Sequence, residues 1–377
     1  MHGQRWPPHE HIRRTNWHRL ARGASMRLVS PLLKHVVYPG LSRSGYLRRL
    51  APSVPAVVTY HGVLPRGYEV CEGVLDGHFV TARAFIQQVT LLKKNYTVIS
   101  PEQFLRWCEG EMNLPPRSVM LTCDDGLRNA LTDMLPIIAD TGVPFLFFAT
   151  GASAEETSSM LWYERVFLCL KAARAEWLSS LCKSWYPGQR LRLPALWFEL
   201  LKRFSALEWP ARRTALEDLR TRLGISKDWE AEYSENQALN RRFFMLNRAE
   251  LKEVRRAGMV IGAHTMSHPM LALMSQENAF EEIVESRSIL KNIVGEPVWA
   301  LAYPFGNRAA VSPRDAKLAR DAGFKCAFMN VEDVSPEGTM ALPRIHVTLE
   351  MSVAELDAHV SGFHTAIRKL ASASVPA

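Results

Sequence analysis

Short apolar runs alternate with amphipathic stretches along the chain, from about residue 54 to residue 350. Eight of these runs are rich in the β-branched and aromatic residues that strands favour, and they begin near Val54, Thr97, Ser118, Pro144, Gly258, Val298, Lys325 and Ala341. The stretches between them place apolar residues at helical spacing, as in TARAFIQQVTLLKKN, NALTDMLPIIADTG and AFEEIVESRSILKNIVG. Strands that alternate with helices predict a mainly parallel sheet, and about eight strands favour its closure into a barrel.

One long segment, residues 153–247, interrupts this alternation with helical spacing over most of its length. It predicts an inserted helical subdomain with a small core of its own, although Trp162 and Tyr163 lie close enough to its boundary to overhang a groove. We therefore expect three parts in the chain. They are a basic N-terminal arm at 1–50, a barrel at 51–350 that contains the insertion, and a C-terminal helix and tail at 351–377.

The positive charge of the chain is concentrated in the predicted arm. Residues 1–50 contain ten Lys and Arg residues and one acid, a charge of +9, whereas the whole chain carries +8 and residues 51–377 therefore carry −1. Within the arm, residues 26–37 mix apolar and basic residues as an interfacial helix at an anionic membrane would. A solvated tail is the alternative, because Pro31 interrupts the stretch. No nucleic-acid recognition motif accompanies the charge, so we expect no nucleic-acid partner.

The composition is typical of a soluble globular protein, with 47% hydrophobic and 22% charged residues. No run approaches the ~18 apolar residues of a membrane-spanning helix, and residues 1–20 lack the apolar centre of a secretory signal. We therefore expect a cytoplasmic protein that associates with a membrane peripherally, if at all. The six cysteines are scattered without a CxxC pair, which predicts reduced thiols and no structural zinc.

Candidate chemistry begins at two adjacent carboxylates, Asp124 and Asp125, which are followed by Gly126 and come directly after the apolar run 119–123. Ionised carboxylates at the end of a buried strand need cationic partners or a metal when they leave water. A pair of acids that only caps the next helix is the alternative interpretation.

Two histidines follow a later apolar run. His264 and His268 are four residues apart, just past residues 258–263, and if this stretch forms one helical turn both imidazoles share a face and can hold one cation. Two imidazoles and one carboxylate make a facial triad that leaves metal positions open for water and substrate, and the second carboxylate can then accept a proton. The carboxyl ends of parallel barrel strands gather at one face, so we expect both motifs in a single site.

At these residues the sequence resembles the polysaccharide deacetylase family, the NodB-homology carbohydrate esterases. TCDDG at 122–126 is similar to the family's TFDDG motif, with Cys in place of Phe, and HTMSHP at 264–269 matches its H[ST]xxH[ST/P] motif. The resemblance covers residues 54–350 apart from the insertion, and it implies a distorted (β/α) barrel. It also implies a general base at Asp124 and metal ligands at Asp125, His264 and His268.

A further motif, AYPFG at 302–306, is similar to the family's RxPYG motif. The resemblance implies that the Phe305 N–H helps to hold the oxyanion and that Tyr303, Pro304 and Phe305 contribute to substrate binding. Ala302 stands where many members of the family have the arginine that orients the base. The charge could come instead from one of three other arginines, which are Arg128, Arg308 and Arg344.

LPRIH at 342–346 loosely matches the family's LxH motif, whose imidazole protonates the leaving amine. The resemblance therefore implies that His346 is the general acid, with a structural role at a strand end as the alternative. His61 ends the first predicted strand, where related deacetylases often carry YHxV, and it is a candidate for substrate binding or for a rim hydrogen bond. Glu332 and Asp333 are candidates for the family's acidic motif or simply for solvated loop acids.

The combined interpretation is a metal-dependent hydrolase that removes N-acetyl groups from a polysaccharide, oligosaccharide or lipid-linked sugar. Its ligand set suits zinc better than magnesium, with nickel and cobalt as alternatives. The expected partner is an N-acetylated glycan or glycolipid. A catalytically impaired glycan-binding relative that keeps a structural metal site is the alternative, because the motif arginine is missing. A membrane-associated scaffold would leave the acids and histidines unexplained.

Overall fold

The computed structural model describes residues 31–70, 73–154, 159–188, 192–332 and 338–373. Its strands are β1 (Ala56–Tyr60), β2 (Thr97–Val98), β3 (Ser118–Cys123), β4 (Leu146–Ala149), β5 (Val260–Ala263), β6 (Ala300–Ala302), β7 (Cys326–Phe328) and β8 (Ile345–His346). Each of the eight apolar runs that the sequence indicates therefore contains one strand.

These strands form one sheet in which every ladder is parallel. The order across the sheet is β7-β6-β5-β4-β3-β1-β8, and β2 pairs with the start of β3. Within the described ranges β7 and β8 share no ladder, and a single bridge joins Phe328 to Leu342 beside that seam. The sheet is thus curled without closing completely, which confirms the predicted distorted (β/α) barrel with a helical insertion.

The helices are α1 (Tyr38–Arg43), α2 (Gly73–Asp76), α3 (Ala82–Asn95), α4 (Pro101–Cys108), α5 (Leu135–Thr141), α6 (Trp162–Ala172), α7 (Ala175–Trp185), α8 (Leu193–Ser205), α9 (Trp209–Arg222), α10 (Ala231–Glu235), α11 (Gln237–Phe243), α12 (Arg248–Arg256), α13 (Gln276–Val294), α14 (Pro313–Asp321), α15 (Val353–Val360) and α16 (Phe363–Ala373). Wider π-helical turns occur at Leu33–Val37 and Ala130–Met134, and 3₁₀ turns occur at Leu47–Arg49, Gly151–Ala154 and Leu271–Leu273. None of the described helices combines the length and the apolar character needed to cross a bilayer.

Alternate residues of a strand point to opposite faces of the sheet, and here both faces are buried. Val119 and Leu121 of β3 pack with apolar residues of the surrounding helices, such as Val89 and Ile283. Met120 points the other way, into a second cluster formed mainly by strand residues. A strand enclosed in this way has no solvent-facing side, which explains why β3 reads as a continuous apolar run that ends in polar residues.

Helices α6 to α11 fill the segment between β4 and β5, where the sequence predicts the insertion. Their apolar residues form a core that is not separate from the barrel, because it also contains Leu75, Phe79 and Leu127. The insertion therefore has the core that the sequence predicts, and this core extends into the barrel. The division of the chain at 1–50, 153–247 and 351–377 stays a prediction.

The end of the predicted arm packs on the body of the protein. Tyr38 and Leu47 are buried against Ala358 of α15, and the Ser42 hydroxyl donates to Asp357 Oδ2 at 2.6 Å. A purely solvated tail is thus wrong for residues 31–50, whereas residues 1–30, including the first part of the amphipathic stretch 26–37, lie outside the described residues. Cys108, Cys123, Cys169 and Cys326 are free thiols, as expected, and Cys71 lies outside the described ranges.

Candidate active site

The two adjacent carboxylates lie buried at the carboxyl end of β3. Asp125 has a φ of 73° and Gly126 a φ of 64°, so the chain turns sharply directly after the strand. A Cβ at Gly126 would lie 3.1 Å from the Ala149 side chain, and this tight contact together with the left-handed φ favours glycine at this turn. The turn holds both carboxylates inside the protein instead of starting an exposed helix cap.

His264 and His268 follow β5 on a loop rather than on the helical turn that their spacing suggests. Thr265 and His268 have left-handed φ values of 60° and 59°, which a helical turn would not contain. The His268 N–H donates to the Thr265 hydroxyl at 3.1 Å and tightens the loop. The helical turn that the spacing suggests is thus not formed at residues 264–268, but the loop still brings the two imidazoles together.

The predicted ligands converge on one point. His264 Nε2 lies 3.4 Å and His268 Nε2 3.3 Å from Asp125 Oδ1, and one ligand atom from each residue falls within 4.8 Å of the others. His264 Nδ1 lies 2.8 Å from the Ala302 carbonyl oxygen, which orients the ring so that Nε2 faces the centre. Two imidazole nitrogens and a carboxylate oxygen, all buried, match the donor set that zinc, nickel and cobalt accept.

Asp125 is ionised in this arrangement. Burial disfavours its charged form, but hydrogen bonds with His264 and His268 hold the pKa of the carboxyl well below its usual range. The Tyr163 hydroxyl adds a third contact, since it donates to Asp125 Oδ2 at 3.3 Å. The anionic carboxylate is the form that a cation would require.

Asp124 makes a bidentate ion pair with Arg344. The two terminal nitrogens of the guanidinium donate to Asp124 Oδ1 at 2.7 Å and Oδ2 at 2.6 Å, and both side chains are buried. Burial opposes ionisation of Asp124, but Arg344 and then His264 hold the pKa of its carboxyl below the usual value. Of the three candidate arginines, Arg344 is thus one that pairs with Asp124, whereas Arg128 pairs with Glu250 at 2.8 Å.

Three histidines cluster beside this pair. The ring centroids of His61 and His346 are 4.8 Å apart, and His78 lies 5.5 Å from His61 and 5.8 Å from His346. Burial, and then the neighbouring His61 and His78, lower the pKa of His346 well below 6.5. Among the described residues, His61 Nδ1 and His346 Nε2 have no hydrogen-bond partner, which leaves both nitrogens available. His78 carries no motif that would have indicated it from the sequence.

The residues of the AYPFG segment at 302–306 differ in burial and in their distance from the site. Phe305 is half-buried with a φ of 58°, and its ring centroid lies 4.8 Å from that of His268. Tyr303 is instead 0% exposed and donates its hydroxyl to the Met340 carbonyl at 2.9 Å, and Pro304 is buried as well. The Phe305 ring thus lies beside a predicted metal ligand, whereas the Tyr303 side chain belongs to the core and offers a substrate no surface.

Glu332 and Trp162 do not have the contacts that the sequence suggests for them. Glu332 accepts from His359 Nδ1 at 2.7 Å and contacts Thr365, so its carboxylate serves the packing of α15 and α16. Asp333 lies outside the described residues. Trp162 does not overhang a groove, because it is buried and its indole N–H donates to the His268 carbonyl at 3.0 Å.

The fold and this site define a class of protein, an α/β barrel with a buried two-histidine, one-carboxylate centre and an arginine-held carboxylate beside it. The polysaccharide deacetylase family model matches residues 226–327, which include His264, His268 and the AYPFG segment but not Asp124 and Asp125. The resemblance that the motifs indicate is therefore confirmed, and it supports a deacetylase activity. No curated protein sequence matches the chain significantly.

The chain is also similar to solved structures. It is 17% identical to IcaB from Ammonifex degensii, with a TM-score of 0.51 over 82% of this chain and 98% of that one. The Streptococcus pyogenes deacetylase PplD in complex with acetate is 16% identical, with a TM-score of 0.50 over 81% of this chain and 97% of that one. A de-N-acetylase from Aggregatibacter actinomycetemcomitans is 13% identical, with a TM-score of 0.50 over 80% and 98%. At these identities the likeness establishes the fold.

Proposed function

We propose that the chain is a metal-dependent deacetylase that removes N-acetyl groups from a polysaccharide, oligosaccharide or lipid-linked sugar. The observation that carries the proposal is the convergence of Asp125, His264 and His268 next to the Asp124–Arg344 pair at the carboxyl ends of the strands. All five side chains are buried. Burying ionisable groups costs folding free energy, so a cluster of them is typical of a functional site.

Asp125, His264 and His268 would hold the cation, with zinc as the expected metal and nickel or cobalt as alternatives. A cation bound there supplies Lewis acidity to the attacking water and to the amide carbonyl. The chain itself contributes the orientation of the ligands. His264 is fixed through its Nδ1 contact with the Ala302 carbonyl, and Asp125 through the Tyr163 hydroxyl.

Asp124 takes the proton of the attacking water in this mechanism. Its pairing with Arg344 keeps the carboxylate ionised, and each oxygen still has a second lone pair with which to accept that proton. The bidentate geometry also fixes the plane of the carboxylate, which a single hydrogen bond would not do. The Phe305 backbone N–H is assigned to the oxyanion that forms on the acyl carbon.

His346 delivers a proton to the leaving amine. Its Nε2 has no partner among the described residues, and the lowered pKa makes its protonated form a strong donor once a proton arrives. His61 lies against His346 and has a free Nδ1, so it is assigned to substrate binding beside the leaving group. Over one turnover, water gives one proton to Asp124 and forms the new C–O bond, the C–N bond breaks as His346 gives one proton to the amine nitrogen, and the proton on Asp124 passes through solvent to restore His346.

The first prediction tests this proposal by removing the metal. We expect acetate release from at least one member of a panel of N-acetylated oligosaccharides and glycolipids, abolished by a chelator and restored by zinc, nickel or cobalt. His264→Ala and Asp125→Ala should purify with far less metal, because each removes one of three protein ligands. His35→Ala is the matched control, since that histidine is exposed and lies in the arm.

Two results would contradict the proposed metal-dependent deacetylase activity. Full metal content in both ligand variants would show that the ligands are assigned wrongly. A wild-type protein that binds metal and glycan but releases no acetate from any substrate would instead favour the catalytically impaired binding protein.

We also propose that residues 1–50 contact an anionic membrane. Leu32 and Val36 lie one helical turn apart and are 55% and 60% exposed, and Tyr46 and Leu50 are exposed as well. The stretch 31–50 contains basic residues but no acid. Because the opposite side packs on α15, these apolar and basic groups are presented on a fixed surface, as peripheral membrane binding requires.

The second prediction concerns this surface in the full-length protein. Cosedimentation with anionic vesicles should be strong at low salt and weak at high salt, because basic residues contribute about 1 kcal/mol each and are screened over roughly 8–10 Å. Replacing both Leu32 and Val36 by Ser should weaken binding about tenfold or more, through the loss of buried CH₂ groups. Val284→Ser on α13 is the control, because this valine is 37% exposed and lies outside the arm. Equal binding by the double variant and wild type would contradict the proposal.

A further inference from the structure

The two histidines of the candidate metal centre are held in different ways. His264 Nδ1 contacts the Ala302 carbonyl, which fixes the ring, but His268 Nδ1 has no hydrogen-bond partner among the described residues. The His268 ring is bordered by Tyr163 and Phe305, whose ring centroids lie 4.9 Å and 4.8 Å away. His268 therefore contacts Asp125 through Nε2 but lacks, at Nδ1, the hydrogen bond that holds His264 from the side away from the centre, so its position depends more on its backbone.

That backbone is in a conformation that needs support. His268 and Thr265 both have left-handed φ values, which cost free energy for residues other than glycine and persist only where contacts enforce them. Part of the support comes from α13. The Glu282 carboxylate accepts from the Ser267 N–H at 2.8 Å and from the Ser267 hydroxyl. The Glu282 backbone carbonyl accepts from the Met266 N–H at 2.9 Å.

The rest of the support comes from the helical insertion. Arg212 of α9 is fully buried and donates through one terminal nitrogen to Ser267, to the hydroxyl at 2.7 Å and to the carbonyl at 3.1 Å. Its other nitrogens donate to the Phe204 carbonyl at 2.9 Å and the Leu207 carbonyl at 2.7 Å. The guanidinium therefore ties the loop between the two histidines to the end of α8.

Trp162, also in the insertion, contacts the backbone of His268 directly. Its indole N–H donates to the His268 carbonyl at 3.0 Å, and the Arg212 guanidinium carbon lies 5.1 Å from the indole ring centroid. Burial lowers the pKa of Arg212 to about 10 while Glu282 opposes that shift, so the guanidinium is charged at neutral pH. Burying a charged guanidinium costs folding free energy. Because Arg212 donates hydrogen bonds to the loop between the two histidines, we attribute this cost to holding that loop in place.

We infer that Arg212 and Trp162 are positioning residues of the metal centre, through which the helical insertion sets the orientation of His268. The inference rests on the proposed function, because it concerns the same candidate centre. It makes the insertion a part of the site, although none of its residues is a predicted ligand. Metal affinity should then depend on side chains that touch neither the metal nor the substrate.

The third prediction concerns metal affinity, which is measured by titrating the wild type and its variants with Zn²⁺ and Co²⁺. Arg212→Met should weaken metal binding about 10- to 100-fold, as loss of a partner behind a ligand typically does. Arg212→Lys should recover part of this loss, because it keeps the charge and can reach one acceptor. Arg213→Met is the matched control, since Arg213 is exposed on the same helix. Trp162→Phe keeps an aromatic ring but removes the N–H, and it provides an independent test if Arg212→Met does not fold.

Two readouts separate positioning from simple stability. The absorption spectrum of the Co²⁺ protein should change in Arg212→Met and Trp162→Phe but not in Arg213→Met, because it reports the ligand geometry. Thermal unfolding of the metal-free variants measures the structural effect alone. Unchanged metal affinity and spectrum in foldable Arg212 and Trp162 variants would overturn the inference, even if their metal-free forms unfold earlier. If wild type itself binds neither ion, the proposed function fails first, and this inference fails with it.

Discussion

The barrel strands and the helical insertion contribute different kinds of residue to one site. The strand ends supply every group proposed to react or to bind metal, namely Asp124, Asp125, His264, His268 and His346. The insertion supplies groups that only hold these in place, through the hydroxyl of Tyr163, the indole of Trp162 and the guanidinium of Arg212. Short turns after strands fix a side chain closely, whereas a large insertion can reach over and brace it from outside.

The insertion is joined to the barrel by more than apolar contact. Arg242 of α11 donates through Nε to Asp76 Oδ1 at 2.8 Å and lies 3.0 Å from Glu164 Oε1, with all three side chains buried. Removing one partner of such a buried pair typically costs about 3–5 kcal/mol, because the remaining charge is left without compensation. The insertion is therefore integrated with the barrel, which is consistent with its role in holding the site.

The largest effect on activity should come from a reacting group of the barrel. In the fourth prediction, Asp124→Asn lowers the turnover number by about 10²–10⁴ because an amide cannot accept the proton of the attacking water. Metal content should not change, since the metal is assigned to Asp125 and not to Asp124. Acetate release and metal content of the purified variant are the two measurements.

Asp140→Asn makes the same chemical change at an exposed position of α5, so it serves as the control for the loss of one negative charge. Near-normal turnover in Asp124→Asn would exclude Asp124 as the general base. Loss of metal from that variant would show that the roles of the two adjacent carboxylates are exchanged.

The contrast between strand ends and insertion also explains which features the sequence could predict. The strands and the polar residues that follow them are local patterns, so all eight strands and the convergence of Asp125 with the two histidines could be anticipated. The assumption of a helical turn at 264–268 was wrong, because the left-handed residues that shape the loop leave no signal in hydrophobic spacing. Arg344 could be named as a candidate but not chosen, since it meets Asp124 across 220 positions of the chain.

The residues of the insertion that hold the site could not be predicted from the sequence, because their contacts are also long-range. Arg212 contacts Ser267 over 55 positions, and on α9 it resembles the exposed Arg213 beside it. The difference between them is burial, which depends on the packing of α9 against the loop after β5 and not on residue type. Tyr163 could be placed near a groove, but its contact with Asp125 required the three-dimensional structure.

The smallest effect should come from the weakest of the bracing contacts. In the fifth prediction, Tyr163→Phe removes one hydroxyl that donates to Asp125 Oδ2 at 3.3 Å, a long hydrogen bond, and leaves the aromatic packing against His268 intact. We expect a loss of about 0.5–1.5 kcal/mol in metal binding, which corresponds to an increase in Kd of about 2- to 13-fold, measured by Zn²⁺ titration. Tyr60→Phe is the control, because the Tyr60 hydroxyl is also buried but has no hydrogen-bond partner among the described residues. Metal affinity reduced equally in both variants would mean that the effect is general packing, whereas a loss confined to Tyr163→Phe would show that the insertion stabilises the carboxylate ligand as well as the histidine loop.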